Sequence, residues 1–424
     1  MGPSSRRSLA CAAISLTAAV LLLHPVAVET EPHNGGGWVG TWTASPQPAS
    51  SPLQINGQTL RQIVHTSIGG DSVRIRLSNA YGGEDVVVGA ARVAVSAGGA
   101  SIVEATNRAV RFNGSPTITI SPGAFVVSDP VRLRVPALGD LAVSIYLPGN
   151  VAATTAHDLG LQTNYLSAPG DFTRTVDFTG TTTQSFHFLT TVEVRAPARA
   201  GAIVTLGESV TDGFGSTPDT NQRWTNLLAE RLQGDPRTSH MAVLNAGIGG
   251  NRILHDIVGP SGLSRLDRDV LVQSGATHLI VAPGSTDILL PDLIGLPAQN
   301  VGADHLIQGH QQIITRAHAM GLRVYGATLT PVDGFPFPGF WTAAMEKKRQ
   351  LVNRFIRTSG AYDAVIDFDA VLRDPAQPTR LRPEYDSGDH VHPNDLGHRV
   401  MADAINLKSV RPGATIGSVG GGLQ

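Results

Sequence analysis

Runs in which apolar and polar residues alternate fill the first half of the chain. Residues 73–77 and 131–135 alternate apolar with basic side chains, and residues 141–147 form a third such run. Gly82-Gly83 and Asn113-Gly114 are among the pairs of turn residues that separate the runs. Alternation with a period of two is typical of strands that are buried on one face. Many short strands separated by turns predict a β-sandwich, which we place at residues 38–194.

A different period begins after residues 195–200, a stretch with proline and alanine that we predict to be a linker. Trp224, Leu227, Leu228 and Leu232 fall on one helical face. Helical stretches of this kind alternate with strand-like apolar runs at residues 203–206, 243–244, 278–282, 324–329 and 365–367. The alternation predicts a parallel sheet with helices on both faces, in an α/β domain at residues 201–410.

The N-terminus carries a separate apolar segment. Arg6-Arg7 precede an apolar run from Leu9 to Leu23, which is shorter than a membrane-spanning helix requires. A basic start and a short apolar run are typical of an export signal. Residues 1–28 are therefore predicted to be a signal peptide for the general or the twin-arginine route, and an uncleaved membrane anchor is the alternative.

The remaining terminal segments are predicted to be flexible, with a leader at residues 29–37 and a tail at residues 411–424. No second long apolar run occurs in the sequence. We therefore expect a secreted or periplasmic protein with no stable membrane insertion after processing.

Composition narrows the choice of function. The 424 residues are more than one ordinary core usually holds, which agrees with two domains. The formal net charge of −2 gives no electrostatic support for a nucleic-acid partner. The only cysteine is Cys11, inside the predicted signal peptide. A cysteine nucleophile, a disulfide and a thiolate metal site are thereby excluded in the mature chain.

Residues capable of chemistry follow several of the predicted strands. Ser209, Gly250 and Thr286 follow the first three strands of the α/β region, and Asp389 and His392 come shortly before the last helix. Loops after parallel strands converge on one edge of the sheet. A carboxylate three residues before a histidine can bind its Nδ1–H and leave Nε2 to take a proton from a serine. Each residue alone is better interpreted as a turn or surface residue, but their order on this architecture favours a catalytic group.

Residues 200–408 resemble the SGNH (GDSL-type) hydrolase superfamily in four blocks that occur in the order of that family. The blocks are Gly207-Glu208-Ser209, Asn245-Ala246-Gly247-Ile248-Gly249-Gly250, Gly284-Ser285-Thr286-Asp287 and Asp389-His390-Val391-His392. The resemblance implies a flavodoxin-like α/β/α fold with a parallel five-stranded sheet, and ester hydrolysis without a metal or a cofactor. The predicted β-sandwich is similar to an accessory domain of secreted members.

The same resemblance implies a role for each residue that matches a block. Ser209 would be the nucleophile, His392 the general base and Asp389 the group that orients it. The backbone N–H groups of Ser209 and Gly250 would form the oxyanion hole. Thr286 stands at the position of the third donor to the oxyanion hole.

Two residues depart from the pattern of the superfamily. Glu208 replaces the usual aspartate, and its extra methylene is expected to move Ser209 slightly. Thr286 replaces an asparagine whose side chain donates to the oxyanion. Loss of one such donor typically lowers kcat by about 10²–10³, so we expect weakened hydrolysis or an altered reaction.

The function predicted from these residues is that of a secreted serine esterase acting on lipid, short-chain or acylated-carbohydrate esters. An acyltransferase with the same acyl-enzyme is one alternative. A catalytically weakened protein that binds polysaccharide through its N-terminal domain is another. Phe335, Phe337 and Trp341 are candidates for the wall of a substrate pocket, although packing against the neighbouring helix would explain them equally well.

Overall fold

The structure, a computed structural model, describes residue 2, residues 36–335 and residues 339–410. The predicted signal peptide apart from Gly2, most of the predicted leader and the whole predicted tail lie outside the described residues. Phe337 lies outside them as well.

Antiparallel strands make up the N-terminal β region, defined here as residues 37–196. Its strands are β1 Gly37–Thr43, β2 Gln47–His65, β3 Gly70–Ser78, β4 Val86–Val88, β5 Ala90–Gly98, β6 Ser101–Ile102, β7 Arg108–Val110, β8 Ile118–Ile120, β9 Phe125–Val127, β10 Val131–Val135, β11 Asp140–His157, β12 Asn164–Pro169, β13 Gly180–Thr183, β14 Phe186–His187 and β15 Leu189–Ala196. One sheet has the order β1-β15-β3-β10, and another has the order β13-β12-β2-β11-β5-β6. The long strands β2 and β11 pair along most of their length, from His65 with Asp140 to Gln47 with Ala156.

A parallel sheet organises the rest of the chain. Its strands are β16 Gly201–Gly207, β17 Met241–Gly247, β18 Ala276–Val281, β19 Arg323–Ala327 and β20 Ala364–Ile366, in the order β17-β16-β18-β19-β20. This is the flavodoxin-like order, with a topological switch point between the first and third strands of the sheet. The predicted fold class is confirmed.

Helices follow the strands of this sheet. They are α1 Ser209–Asp212, α2 Trp224–Gln233, α3 Gly262–Leu266, α4 Ser285–Leu293, α5 Ala303–Ala319, α6 Ala343–Thr358, α7 Phe368–Leu372 and α8 Asp395–Asp403. A π-helical turn, Asp267–Leu271, continues α3. Helix α4 was not among the elements predicted from the sequence. None of the helices among the described residues is long and apolar enough to cross a membrane.

Every residue of β16 is buried, as expected for a strand covered on both faces. Its side chains alternate between two hydrophobic clusters. Val204 and Leu206 belong to one, and Ile203 packs with Trp224 and Leu228 of α2 in the other. Burial on both faces fixes the position of the residues that follow Gly207 at the carboxyl edge of the sheet.

The N-terminal β region and the parallel sheet share a hydrophobic core. One continuous cluster contains Val39 of β1 as well as Leu244 of β17. Hydrogen bonds also cross this seam: the Gly40 N–H donates to the Ser274 carbonyl at 2.9 Å, and the Val243 N–H to Ser67 Oγ at 3.1 Å. The β region is therefore packed against the α/β region rather than merely tethered to it.

Candidate active site

The turn after β16 presents Ser209 at the edge of the sheet. Glu208 has an extended backbone, Ser209 begins α1, and Gly213 ends this helix in a left-handed conformation with φ of 117°. A side chain at Gly207 would collide with Thr211, so the strand can turn into the helix here only with glycine. The short helix thus exposes the first residue after the turn.

Ser209, His392 and Asp389 form a hydrogen-bonded chain. The distance between Ser209 Oγ and His392 Nε2 is 2.8 Å, and His392 Nδ1 lies 2.5 Å from Asp389 Oδ2. Asp389 Oδ1 also accepts the backbone N–H groups of Val391 and His392, at 2.9 and 2.8 Å. Burial acts to raise the pKa of Asp389, but the hydrogen bonds and charge of His392 outweigh it and hold the pKa well below its usual range. The carboxylate therefore stays ionised and faces the imidazole.

Hydrogen bonds within the loop hold the segment that carries Asp389 and His392. Asp386 Oδ1 accepts the N–H groups of Gly388 and His390, and His390 adopts a positive φ of 66°. Asn394 caps α8 by accepting the Gly397 N–H at 3.0 Å. The ring of Phe214 packs on the imidazole of His392, with 4.2 Å between the ring centroids. His392 is thus held by its loop and by an aromatic neighbour.

The Gly249–Gly250 loop lies beside Ser209. A Cβ atom placed on Gly249 would lie 4.0 Å from the Cβ of Ser209. Gly250 has a positive φ of 76°, which glycine adopts without strain. The Gly249 N–H donates to Asp212 Oδ2 at 2.7 Å. The predicted oxyanion donors Ser209 and Gly250 therefore lie on adjoining segments at one edge of the sheet.

Glu208 and Thr286, the two departures from the family pattern, are in direct contact. The buried carboxylate of Glu208 accepts the Thr286 N–H at 3.0 Å and the Gly284 N–H at 3.4 Å. These groups stand at the start of α4, where a carboxylate is favoured by unsatisfied N–H groups and by the helix dipole. The Thr286 hydroxyl makes no hydrogen bond to any other described residue and borders the cavity beside Ser209. It is available as an additional donor.

Asp287, next to Thr286, is fully buried and holds another loop. Its carboxyl oxygens accept the backbone N–H groups of Ile253 and Leu254, at 2.7 and 3.1 Å. Burial raises the pKa of Asp287 to about 7, and the charge of Glu208 acts in the same direction. The two backbone N–H groups and Arg252 act in the opposite direction. Asp287 thus fixes the chain that follows the Gly249–Gly250 loop.

An apolar cavity of about 470 Å³ opens over Ser209. Besides the polar residues named above, its walls are mainly aliphatic and aromatic: Leu159, Phe214, Leu289, Leu290, Leu293, Val332, Phe335, Phe340 and Val391. Three of these leucines come from α4, and Leu159 comes from the N-terminal β region. Such a surface favours an apolar group next to Ser209.

The predicted pocket aromatics have different positions. Phe335 lines the cavity and stacks on Phe340, with 4.3 Å between the ring centroids. Trp341 turns its Nε1–H to Glu346 at 3.1 Å and packs against the hydrophobic core. Trp341 therefore packs against helix α6, which was the alternative to a place in the pocket wall.

Some residues of the site were missed by sequence reasoning. Asp212 lies three residues, or one helical turn, after Ser209, and that spacing could have drawn attention to it. Leu159 carried no comparable signal, because its place in the cavity depends on how the β region packs.

The sequence also matches a known family. Residues 205–400 match the GDSL-like Lipase/Acylhydrolase family. This part of the chain is a GDSL-like lipase/acylhydrolase domain. The chain is accordingly a carboxylic ester hydrolase, and the four blocks of the GDSL-like domain lie at the edge of its sheet. No curated protein matches the sequence.

Several solved structures are similar to the GDSL-like domain. An aryl esterase of M. smegmatis has 17% sequence identity and a TM-score of 0.39, with 48% of this chain and 96% of that chain covered. A carbohydrate acetylesterase from Sinorhizobium meliloti has 15% identity and a TM-score of 0.38, with 49% and 97% covered. An acetyl xylan esterase has 20% identity and a TM-score of 0.37, with 48% and 96% covered. The family assignment rests on the match over residues 205–400.

Proposed function

We propose that this protein is a secreted serine esterase in which Ser209, His392 and Asp389 hydrolyse esters with an apolar acyl group. The observation that carries the proposal is the 2.8 Å contact between Ser209 Oγ and His392 Nε2 beneath an apolar cavity. A serine and a histidine at this distance, with a carboxylate on the other ring nitrogen, have the geometry of an activated nucleophile.

In the proposed reaction, Ser209 Oγ attacks the ester carbonyl while His392 Nε2 accepts its proton. The negative charge on the carbonyl oxygen is stabilised by the N–H groups of Ser209 and Gly250 and by the Thr286 hydroxyl. Collapse of the tetrahedral intermediate breaks the bond to the alcohol, which receives the proton from His392. Water then gives a proton to His392 and attacks the acyl-enzyme, and the proton returns to Ser209 as the carboxylic acid leaves. Asp389 stabilises the imidazolium in both halves of the cycle.

The cavity supports a preference for apolar acyl groups over acetyl groups. A two-carbon acyl group would leave most of the leucine and phenylalanine surface unfilled. Each additional buried methylene is worth up to about 0.8 kcal/mol. We therefore propose that medium-chain acyl or aryl esters are better substrates than acetylated carbohydrates.

Export is proposed from the sequence of residues 1–28 alone. Arg6-Arg7 and the apolar run that follows support it. Mass spectrometry of the mature N-terminus in the culture supernatant would test it, and an intact Met1 on cell-associated protein would contradict it.

An aryl ester assay with Ser209→Ala tests the catalytic proposal. Turnover should fall to background in this variant, while Ser239→Ala, which changes a serine at the opposite edge of the sheet, should keep full activity. A fluorophosphonate should label the native protein and Ser239→Ala but not Ser209→Ala. Full turnover by folded Ser209→Ala would refute the proposed nucleophile.

Product analysis in the presence of added alcohols separates hydrolysis from acyl transfer. A free carboxylic acid as the main product supports the esterase. A new ester as the main product would support the transferase alternative instead.

A further inference from the structure

A buried ion pair links the N-terminal β region to the turn of the nucleophile. His157, the last residue of β11, lies 2.9 Å from Asp212 Oδ1 through its Nε2, and its Nδ1 lies 3.0 Å from the Ser45 carbonyl oxygen. Both partners are acceptors, so both ring nitrogens must donate, and only the imidazolium form can do so. Burial acts to lower the pKa of His157, but the charge and hydrogen bond of Asp212 outweigh it and raise the pKa. The two contacts therefore favour a protonated His157, which no step of the proposed reaction uses.

Asp212 connects His157 to the Gly249–Gly250 loop. It lies on α1, one turn after Ser209, and its second oxygen, Oδ2, accepts the Gly249 N–H at 2.7 Å. One carboxylate thus joins three segments: the nucleophile helix, the Gly249–Gly250 loop and strand β11. The neighbouring cation Arg223 binds the main-chain carbonyl of Asp212 instead, through its Nε at 3.0 Å.

Such an anchor restricts the conformations of the loop. Gly249 and Gly250 have no side chains, and glycine has more backbone conformations available than any other residue. The hydrogen bond of the Gly249 N–H fixes the peptide plane between residues 248 and 249. The next peptide plane carries the Gly250 N–H, which is the proposed donor. Oxyanion stabilisation depends on donors held in place before the reaction, and a misplacement of 1 Å can lower a rate by about 10²-fold.

We propose that His157 is a positioning residue for ester hydrolysis, which orients the Gly250 donor through Asp212 and Gly249. The N-terminal β region then completes the oxyanion hole of the GDSL-like domain. This inference rests on the proposed function of Ser209, and it predicts a defect in kcat with little change in KM, because substrate binding in the apolar cavity is unaffected.

The key comparison is between Asp212→Asn and a double variant. The side-chain amide that Asp212→Asn introduces keeps an oxygen for the Gly249 N–H, and its NH₂ group can donate to a neutral His157. This single variant should therefore retain kcat within about threefold. His157→Phe combined with Asp212→Asn removes the support that His157 gives to residue 212, so the amide is no longer held against the Gly249 N–H. The double variant leaves no unpaired buried charge, which would itself favour unfolding. We expect kcat of the double variant to be about tenfold to a hundredfold below that of Asp212→Asn, with KM within about twofold. Asp212→Leu should show a similar loss.

Ser67→Ala is the matched control. Ser67 is buried at the same seam and accepts the Val243 N–H, but it does not touch the Gly249–Gly250 loop. Each kcat should be divided by the fraction of sites that a fluorophosphonate labels to completion, so that unfolded protein is not counted. Ser67→Ala should lower the melting temperature and leave kcat within about twofold of the native value.

The results distinguish a failure of the positioning role of His157 from a failure of the proposed esterase function. If kcat of Asp212→Leu or of the double variant stays within about twofold of Ser67→Ala, the pair is only structural and the positioning role is wrong. If the native protein turns over esters no faster than Ser209→Ala, the proposed function itself fails. A Ser209-dependent rate that falls with loss of the pair supports both.

Discussion

At the scale of single residues, we expect the chemistry of the proposed site to depend on the contact between Glu208 and Thr286. The longer side chain of Glu208 reaches the Thr286 N–H at 3.0 Å, so the residue next to Ser209 holds the backbone of Thr286. The two departures from the family pattern are thus structurally connected. A side chain shorter by one methylene at position 208 would reach less far towards α4.

The hydroxyl of Thr286 should contribute to catalysis as an oxyanion donor. Thr286→Val keeps the shape of the side chain and removes the donor, so we expect kcat to fall about tenfold or more, towards the 10²-fold loss typical of such donors, with KM nearly unchanged. Thr286→Asn should raise kcat above the native value, because an amide reaches further into the site. Steady-state kinetics with an aryl ester test both, and an unchanged kcat in Thr286→Val would show that the hydroxyl is not a donor.

Asp287 should make stability depend on pH. Its pKa is raised from 3.8 to about 7 in the folded protein. Between these values the folded state keeps a proton that the unfolded chain has released, so stability falls as the pH rises through this window. The slope approaches about 1.4 kcal/mol per pH unit for one proton, and the difference is constant above the folded pKa.

Urea denaturation from pH 4 to pH 9 measures this dependence. The free energy of unfolding of the native protein relative to Asp287→Asn should decrease from pH 4 to about 7 and then level off. Asp292→Asn, which changes an exposed carboxylate of the same helix, should follow the native curve. A difference between native and Asp287→Asn that does not vary with pH would show that Asp287 is ionised throughout.

At the scale of elements, α4 contributes both to the proposed oxyanion site and to the proposed acyl cavity. Its first turn carries Thr286 and Asp287, and its later turns place Leu289, Leu290 and Leu293 in the cavity wall. The sequence did not suggest this helix, because Pro291 lies within it and a proline lacks the N–H of a helix interior. The helix is stabilised instead by burial of Ile288 and by a cap from Glu208, which is distant in sequence.

The leucines of α4 should set the preferred acyl length. Leu290→Phe adds bulk to the cavity wall, so kcat/KM for octanoyl esters should fall about tenfold, while acetyl esters should change less than about twofold. Leu351→Phe is the control, because Leu351 is an exposed leucine of α6 outside the cavity. A chain-length series of aryl esters gives the measurement, and an equal loss for all esters would contradict the proposed acyl site.

At the scale of the whole molecule, local patterns predicted each half but not how the halves meet. The buried strands around β16 were recognisable from apolar runs, and Ser209, Asp389 and His392 from their order and spacing. His157 and Leu159 could not be found in this way. Their roles depend on packing between segments that are distant in sequence, and a histidine or a leucine at the end of a strand is unremarkable by itself.

The continuous core predicts that the two regions unfold together. Val39 of the β region is buried against Gly275, which precedes β18. Arg265 crosses the same seam: it is fully buried and donates to Ser45 Oγ at 3.1 Å and to the Ala246 carbonyl at 2.7 Å. Separation of the regions would expose this arginine's partners and the apolar surface around it, so an intermediate with only one region folded should be unstable.

Scanning calorimetry should therefore give one transition, with equal calorimetric and van't Hoff enthalpies. Val39→Ala removes buried apolar volume at the seam and should destabilise the protein by about 1–3 kcal/mol while the transition remains single. Loss of esterase activity should coincide with the change in tryptophan fluorescence, since Trp38 and Trp42 lie in the β region and Trp224 and Trp341 in the α/β region. Two resolved transitions, or activity that survives unfolding of the β region, would mean that the GDSL-like domain folds independently of the β region. The Gly249–Gly250 loop would then need no support from His157.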